Sequence, residues 1–129
     1  MWYLDTSAFL KLVVTENETK TMRAWFTAHS PCWSSQLLST EALRAGARLG
    51  LNSFAVEQAL DTVSLIMPSV VTFRTASQLP PATLRSLDAL HLATALELGD
   101  DLEGVATYDS RMIEAALMHS VSVVSPAEV

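Results

Sequence analysis

Hydrophobic residues fall into two rhythms along this chain. Short apolar runs end at an acid, Gly or Pro, and they alternate with stretches whose apolar residues recur every three or four positions. The first run, Met1-Trp2-Tyr3-Leu4, stops at Asp5 and reads as a strand. Thr6 and Ser7 can then cap a short apolar helix over 8–14. After the polar break Glu16-Asn17-Glu18, Thr19 opens a second helix, with Met22, Trp25 and Phe26 in one stripe. That helix ends before Pro31, with His29 as an exposed terminal residue. Residues 32–38 read as a second strand, and Ser39-Thr40 cap the next helix. This places Glu41 in the first turn, with Arg44 and Arg48 on its face at i+3 and i+7. Gly50 and Asn52 mark a turn. Val56, Ala59, Leu60, Val63 and Met67 keep helical spacing until Pro68 stops it. Val70-Val71-Thr72-Phe73 reads as a third, β-branched strand, and 75–79 as one helical turn before Pro80-Pro81.

From Ser86, a good N-cap, to Gly99, a good stop, a helix carries apolar residues on nearly every side and is expected to be central. Asp88 stands in its first turn, and His91 shares the face of Asp88 as a packed, hydrogen-bonded histidine. Residues 104–108 give a fourth strand ending at Asp109, 110–118 a helix, and 121–124 a fifth strand before Pro126. Strands alternating with helices indicate an α/β fold, a parallel five-stranded sheet with helices on both faces. Residues 1–129 show no repeat, linker or low-complexity segment and read as one domain.

Composition narrows the class. Half of the residues are hydrophobic, enough for a core without a disulfide, and a lone Cys32 excludes an internal disulfide or a Cys-rich zinc site. Asp5 and Lys11 interrupt the early apolar runs, so no signal peptide or membrane span is expected, and the chain reads as soluble and cytoplasmic. The formal charge of −6 is unusual for a nucleic-acid binder, which commonly presents a basic face. It is reconciled if several acids converge on divalent cations.

Four acids occupy equivalent places. Asp5 follows the first strand, Glu41 opens the helix after the second, Asp88 opens the helix before the fourth, and Asp109 follows the fourth. In a parallel sheet these points can share the rim where ligands bind. Each acid is also readable as a helix cap or a dipole-favoured first-turn residue. Two carboxylates about 4 Å apart repel by roughly 4 kcal/mol at an effective dielectric of about 20, so the cluster calls for a cation. Carboxylate oxygens suit Mg²⁺ or Mn²⁺, and that pairing serves phosphoryl transfer by an activated water. Arg44, Arg48, Arg85 and Arg111 lie near the acids and could equally hold phosphates or pair with the acids themselves.

Leu4-Asp5-Thr6-Ser7-Ala8, the helix with Glu41, the run from Arg85 through Asp88 and His91 to Ala93, and Thr107-Tyr108-Asp109-Ser110-Arg111 together resemble the PIN-domain ribonucleases, above all the VapC-type toxins of bacterial toxin–antitoxin pairs. The likeness spans the whole chain; its specificity lies in the order and spacing of motifs rather than in any one of them. It matches Asp5, Glu41, Asp88 and Asp109 to the family's catalytic and metal-site acids. Ser7 and Thr6 match its hydroxyls beside the first acid, and Thr107 precedes the last acid. It implies a Mg²⁺- or Mn²⁺-dependent endoribonuclease, a homodimer, inhibited by a small VapB-like antitoxin. Arg44, Arg85 and Arg111 are the candidate substrate contacts. Trp25 and Phe26, or the apolar face of the helix from Val56, are candidate dimer surfaces. A receiver domain would need an adjacent acidic pair where Asp5-Thr6 stands, and a haloacid-dehalogenase phosphatase a second Asp where Ser7 stands. The remaining alternative is a catalytically silent interaction module on the same fold.

Overall fold

Tyr3 and Leu4 are neighbours in sequence and belong to opposite cores. Leu4 packs with Ala8, Phe9, Met22, Leu38, Ala42 and Val56, whereas Tyr3 packs with Leu92, Val105, Met112, Ala115 and Val121. Val105 and Ala106 divide in the same way. Alternation of this kind is what a strand covered on both faces requires.

The computed structural model describes residues 1–127. The elements run β1 (Trp2–Leu4), α1 (Thr6–Val13), α2 (Thr19–His29), β2 (Trp33–Ser35), α3 (Leu37–Arg48), α4 (Ser53–Leu60), β3 (Ser64–Ile66), α5 (Val70–Gln78), α6 (Ser86–Leu96), β4 (Gly104–Ala106), α7 (Ser110–Met118) and β5 (Val123–Val124). A 3-10 turn at Gly99–Asp101 links α6 to β4. The strands form one parallel sheet in the order β3-β2-β1-β4-β5, with Tyr3 opposite both Trp33 and Val105. Helices α1 to α4 supply the core on one face, α6 and α7 that on the other, and α5 packs on α6. The α/β class and the five parallel strands are those expected. Connections from β1 leave toward β2 on one side, and β4 lies on the other. The carboxyl ends of β1 and β4 therefore flank the crevice where ligands bind in open α/β sheets.

Several boundaries differ from the sequence reading. Helix α1 starts at Thr6, and its cap is Asp5 rather than Thr6 or Ser7, because the Asp5 carboxylate accepts from the Ala8 N–H. Helix α3 begins at Leu37, before the expected Ser39-Thr40 cap; Ser35 Oγ accepts from Leu37 N at 3.1 Å instead. Glu41 consequently stands one turn deeper in α3 than expected. Arg85, not Ser86, is the N-cap position of α6. The larger correction concerns residues 56–73. The expected helix through Met67 ends at Leu60, the third strand is Ser64–Ile66, and the expected strand 70–73 is the first part of α5. Val56, Leu60 and Val63 are buried at helical spacing, but Met67 is 71% exposed and does not continue the stripe. Ser64 N donates to Cys32 O, committing the chain to the sheet edge. Ser69 and Thr72 then close a reciprocal capping box that starts α5.

Candidate active site

Asp5 sits where β1 stops, 3% exposed. Its Oδ1 accepts from Ser7 Oγ at 2.7 Å and from Ala8 N at 3.0 Å, and its Oδ2 accepts from Thr107 Oγ1 at 2.5 Å. Burial pushes the Asp5 carboxyl above its ordinary pKa, against these three donors, which favour the ionised form. The same hydroxyls brace the end of β4: Ser7 Oγ accepts from Tyr108 N at 2.9 Å, and Thr107 Oγ1 accepts from Asp109 N at 3.1 Å. Ser7 and Thr107 thus clamp the two strand ends on either side of the crevice.

Asp109 caps α7, its Oδ1 accepting from Arg111 N at 2.9 Å. Asp88 lies half-buried in the first turn of α6. Arg85 reaches both: its Nη2 is 3.4 Å from Asp109 Oδ2, and its Nε is 3.6 Å from Asp88 Oδ2. That second contact is an ion pair without a hydrogen bond, and Asp88 Oδ2 is a buried oxygen with no hydrogen-bond partner. Burial pushes the Asp88 carboxyl up, and the charges of Asp109 and Asp5 push it further, with Arg85 opposing. The charges of Asp109 and Asp5 thus both reach Asp88.

Glu41 is held differently. Its Oε1 accepts from His91 Nε2 at 2.6 Å, and His91 Nδ1 lies 2.7 Å from the Tyr3 hydroxyl. A carboxylate only accepts, so Nε2 carries a proton. Burial pushes the Tyr3 phenol far up, which keeps its O–H as a donor to Nδ1. His91 is 1% exposed, as its packed reading implied, but the partner that reading lacked is Glu41. The Thr6 hydroxyl lies 3.3 Å from His91 Nε2 and belongs with this group rather than with Asp5. Tyr3 did not stand out in the sequence, because its role depends on a contact 88 positions away.

Two arginines fall outside the cluster. Arg44 borders a cleft with Glu41, Arg48 and Leu87. Arg111 lines a separate recess with Pro81, Thr83, Leu84 and Glu114, so only its backbone meets Asp109. Among the described residues, no three His, Cys, Asp or Glu side chains stand close enough together to enclose an ion in this arrangement. The donor set nonetheless fits a hard divalent cation. All four groups are carboxylates, and Asp88 offers an oxygen that no protein donor satisfies. Arg85 supplies the counter-charge between Asp88 and Asp109.

The PIN domain family model matches residues 2–117, and the chain belongs to the PIN-domain family. It is 39% identical over 126 residues to ribonuclease VapC46 of Mycobacterium tuberculosis, covering 97% of each chain. It is similarly 35% identical to ribonuclease VapC47 of that organism over 135 positions, covering 100% of this chain and 99% of the other. Among solved structures, the fold matches M. tuberculosis VapC20, described as a sarcin-ricin loop cleaving toxin, with a TM-score of 0.78 at 15% identity, over 98% of this chain and 100% of that one. It also matches a chain of a toxin–antitoxin complex from Klebsiella pneumoniae, with a TM-score of 0.74 at 20% identity, over the whole of both chains. At those identities the structural likeness concerns the fold.

Proposed function

We propose that this chain is a VapC-type toxin, an endoribonuclease that hydrolyses RNA phosphodiester bonds with Mg²⁺ or Mn²⁺ and is held in check by a VapB-like antitoxin. Full-length kinship to VapC ribonucleases supports the class. The single observation that carries the site is Asp88 Oδ2, buried without a donor beside the charges of Asp109 and Asp5. An unpaired buried carboxylate oxygen is costly, and a bound cation would remove that cost.

Asp5, Asp88 and Asp109 are the groups that would hold the ion, with Glu41 as a fourth oxygen donor from α3. When bound, such an ion lowers the pKa of a water and offsets the negative charge developing on the leaving oxygen. The protein's own contributions are positional. Ser7, Ala8 and Thr107 fix both oxygens of Asp5, and His91, oriented by Tyr3, fixes Glu41. Arg85, already bridging Asp88 and Asp109, is placed to turn toward a phosphate once those acids acquire a cation. Water attack forms a new P–O bond and breaks the bond from phosphorus to the 3′ oxygen, leaving a 5′-phosphate and a 3′-hydroxyl.

A homodimer is part of this reading. Trp25 packs against the first core and stacks on His29, which makes it a poor dimer anchor. Met67, Val70, Val71 and Phe73 are exposed apolar side chains around the start of α5, and they are the better candidates for a second copy. Among the described residues no helix is long and apolar enough to cross a membrane.

Purified protein should cut single-stranded RNA with Mg²⁺ or Mn²⁺ and stop in EDTA. Asp88→Asn should lower the rate at least ~100-fold, the loss of about 3 kcal/mol expected of a key electrostatic group, while circular dichroism stays unchanged. A silent interaction module would show no metal-dependent cleavage by the wild type, and 2′,3′-cyclic phosphate ends would overturn the water mechanism.

A further inference from the structure

Arg44 and Arg48 stand one turn apart on α3, both exposed, in a chain whose formal charge is −6. Lys11 pairs with Glu16 and Glu18, Arg23 donates to Leu12 O, and Arg85 bridges Asp88 and Asp109. Arg44 and Arg48 form no ion pair among the described residues. Both border a cleft of about 400 Å³ that Leu10, Leu37, Leu87, Thr6 and Glu41 also line. A second opening, of about 330 Å³, shares Glu41 and Leu87 with the first and reaches Arg85 and Asp88. Two neighbouring clefts thus share Glu41 and Leu87, one lined by Arg44 and Arg48 and the other by Arg85 and Asp88.

We propose that this cleft is the subsite for one nucleotide flanking the scissile bond, its base against Leu10, Leu37 and Leu87 and its phosphate on Arg44 and Arg48. The inference rests on the ribonuclease reading and extends it to how RNA is seated. Volume, charge and adjacency to the acids favour this occupant. The cleft lies at the small end of the roughly 300–1,000 Å³ usual for small-ligand pockets, a size for one nucleotide. Arginine forks match phosphate oxygens and guanidinium planes take unstacked bases, while covering a base with leucine side chains removes apolar surface from water. A duplex cannot present a base in this way, so the subsite makes the enzyme selective for single-stranded segments.

The test uses the full chain carrying Asp88→Asn to stop cleavage, with labelled oligo-A, oligo-C and oligo-U and an abasic ribose–phosphate oligomer of equal length, read by fluorescence anisotropy. Base-bearing RNA should bind about fivefold tighter than the abasic oligomer, as expected for covering part of one base with aliphatic side chains. Leu87→Ala, at an exposed position, should close that gap and leave abasic binding unchanged. Arg44→Gln/Arg48→Gln should weaken base-bearing and abasic oligomers alike, about tenfold, as expected for lost charge-assisted contacts. In the Asp88-intact background the same double variant should keep its Mn²⁺-induced rise in Tm, separating cleft damage from site damage. The proposal is overturned if bases add nothing, if Leu87→Ala keeps the gap, or if the arginine variant binds all oligomers as before. Loss of binding to a protein partner with RNA binding intact would also overturn it, marking the cleft as a peptide site. A wild type that cuts no RNA would instead defeat the ribonuclease reading itself.

Discussion

Asp5 and Asp88 solve the problem of a buried carboxylate in opposite ways. Asp5 is surrounded by three donors, whereas Asp88 keeps one oxygen bare beside two other acids. Both carboxyls are pushed above their ordinary pKa, Asp5 by burial and Asp88 by burial first and then by Asp109. An acid whose folded pKa exceeds its unfolded value binds more protons when folded. Its stabilising contribution is therefore full below the ordinary aspartate range of about 4 and is lost as pH rises through the raised values. The Tm of the metal-free protein should accordingly fall from mildly acidic pH toward neutrality, and Asp88→Asn should flatten that slope. Saturating Mg²⁺, which favours the ionised acids, should raise the neutral-pH Tm of the wild type and not that of the variant. A metal-free Tm that climbs with pH would contradict the raised carboxyls. Tyr3 gives a second prediction at this scale: Tyr3→Phe removes the donor to His91 Nδ1. It should cost about 1–2 kcal/mol by urea unfolding, as expected for leaving a buried partner unsatisfied, and lower kcat more than KM by loosening Glu41. Asp5, Ser7, Thr107 and Asp109 were legible because each adjoins a strand end. The Tyr3–His91–Glu41 group was not, since its contacts span 88 and 50 positions and no periodicity reports them.

The central helix α6 and the strand–acid junctions after β1 and β4 follow directly from local pattern, because turn chemistry and burial there agree. Residues 56–73 show where that agreement fails. Val70, Val71 and Phe73 have strand propensity, yet they point to solvent on a helix whose buried residue is Thr72. Propensity could not outweigh a cap, and β3 was hidden because Ser64-Leu65-Ile66 is too short to announce itself beside a helical stripe. Ser69 is the decisive residue: its Oγ accepts from Thr72 N at 3.3 Å, and Ser69 N donates to Thr72 Oγ1 at 3.0 Å. Thr72 Oγ1 also donates to Glu97 Oε1 at 2.6 Å, fastening α5 to the end of α6. Ser69→Ala should therefore cost about 1 kcal/mol of stability, with the first turn of α5 losing amide-exchange protection before the sheet does. Uniform loss of protection across the molecule would mean that α5 has no separate stability, and the cap would then act on the whole fold.

Across the whole molecule, a parallel sheet whose strand order switches between β1 and β4 brings the charges of Asp5 and Asp109 within reach of Asp88. The excess of acids is thus partly local, and in the proposed reading a divalent cation at the rim would offset two of those charges and lessen the repulsion that a chain of charge −6 presents to a polyanion. This makes the salt dependence of RNA binding diagnostic. Displaced counterions scale with the number of phosphates neutralised, and for single strands the slope of log K against log salt is about −0.7 per contact. Arg44 and Arg48 line the cleft beside Glu41, and Arg85 pairs with Asp88 and Asp109. Three phosphate contacts give a slope of about −2, shallow for a nucleic-acid binder, so in the proposed reading much of the affinity of the Asp88→Asn protein would come from base contacts. Binding titrations of Asp88→Asn protein across a salt series, with Mg²⁺ held constant, read this slope directly. Arg44→Gln/Arg48→Gln should bring it toward about −0.7. A wild-type slope several times steeper would place the RNA over other basic side chains, far from the cleft beside Glu41, and the path drawn from α3 to the acids would be wrong even if the acids themselves perform the cleavage.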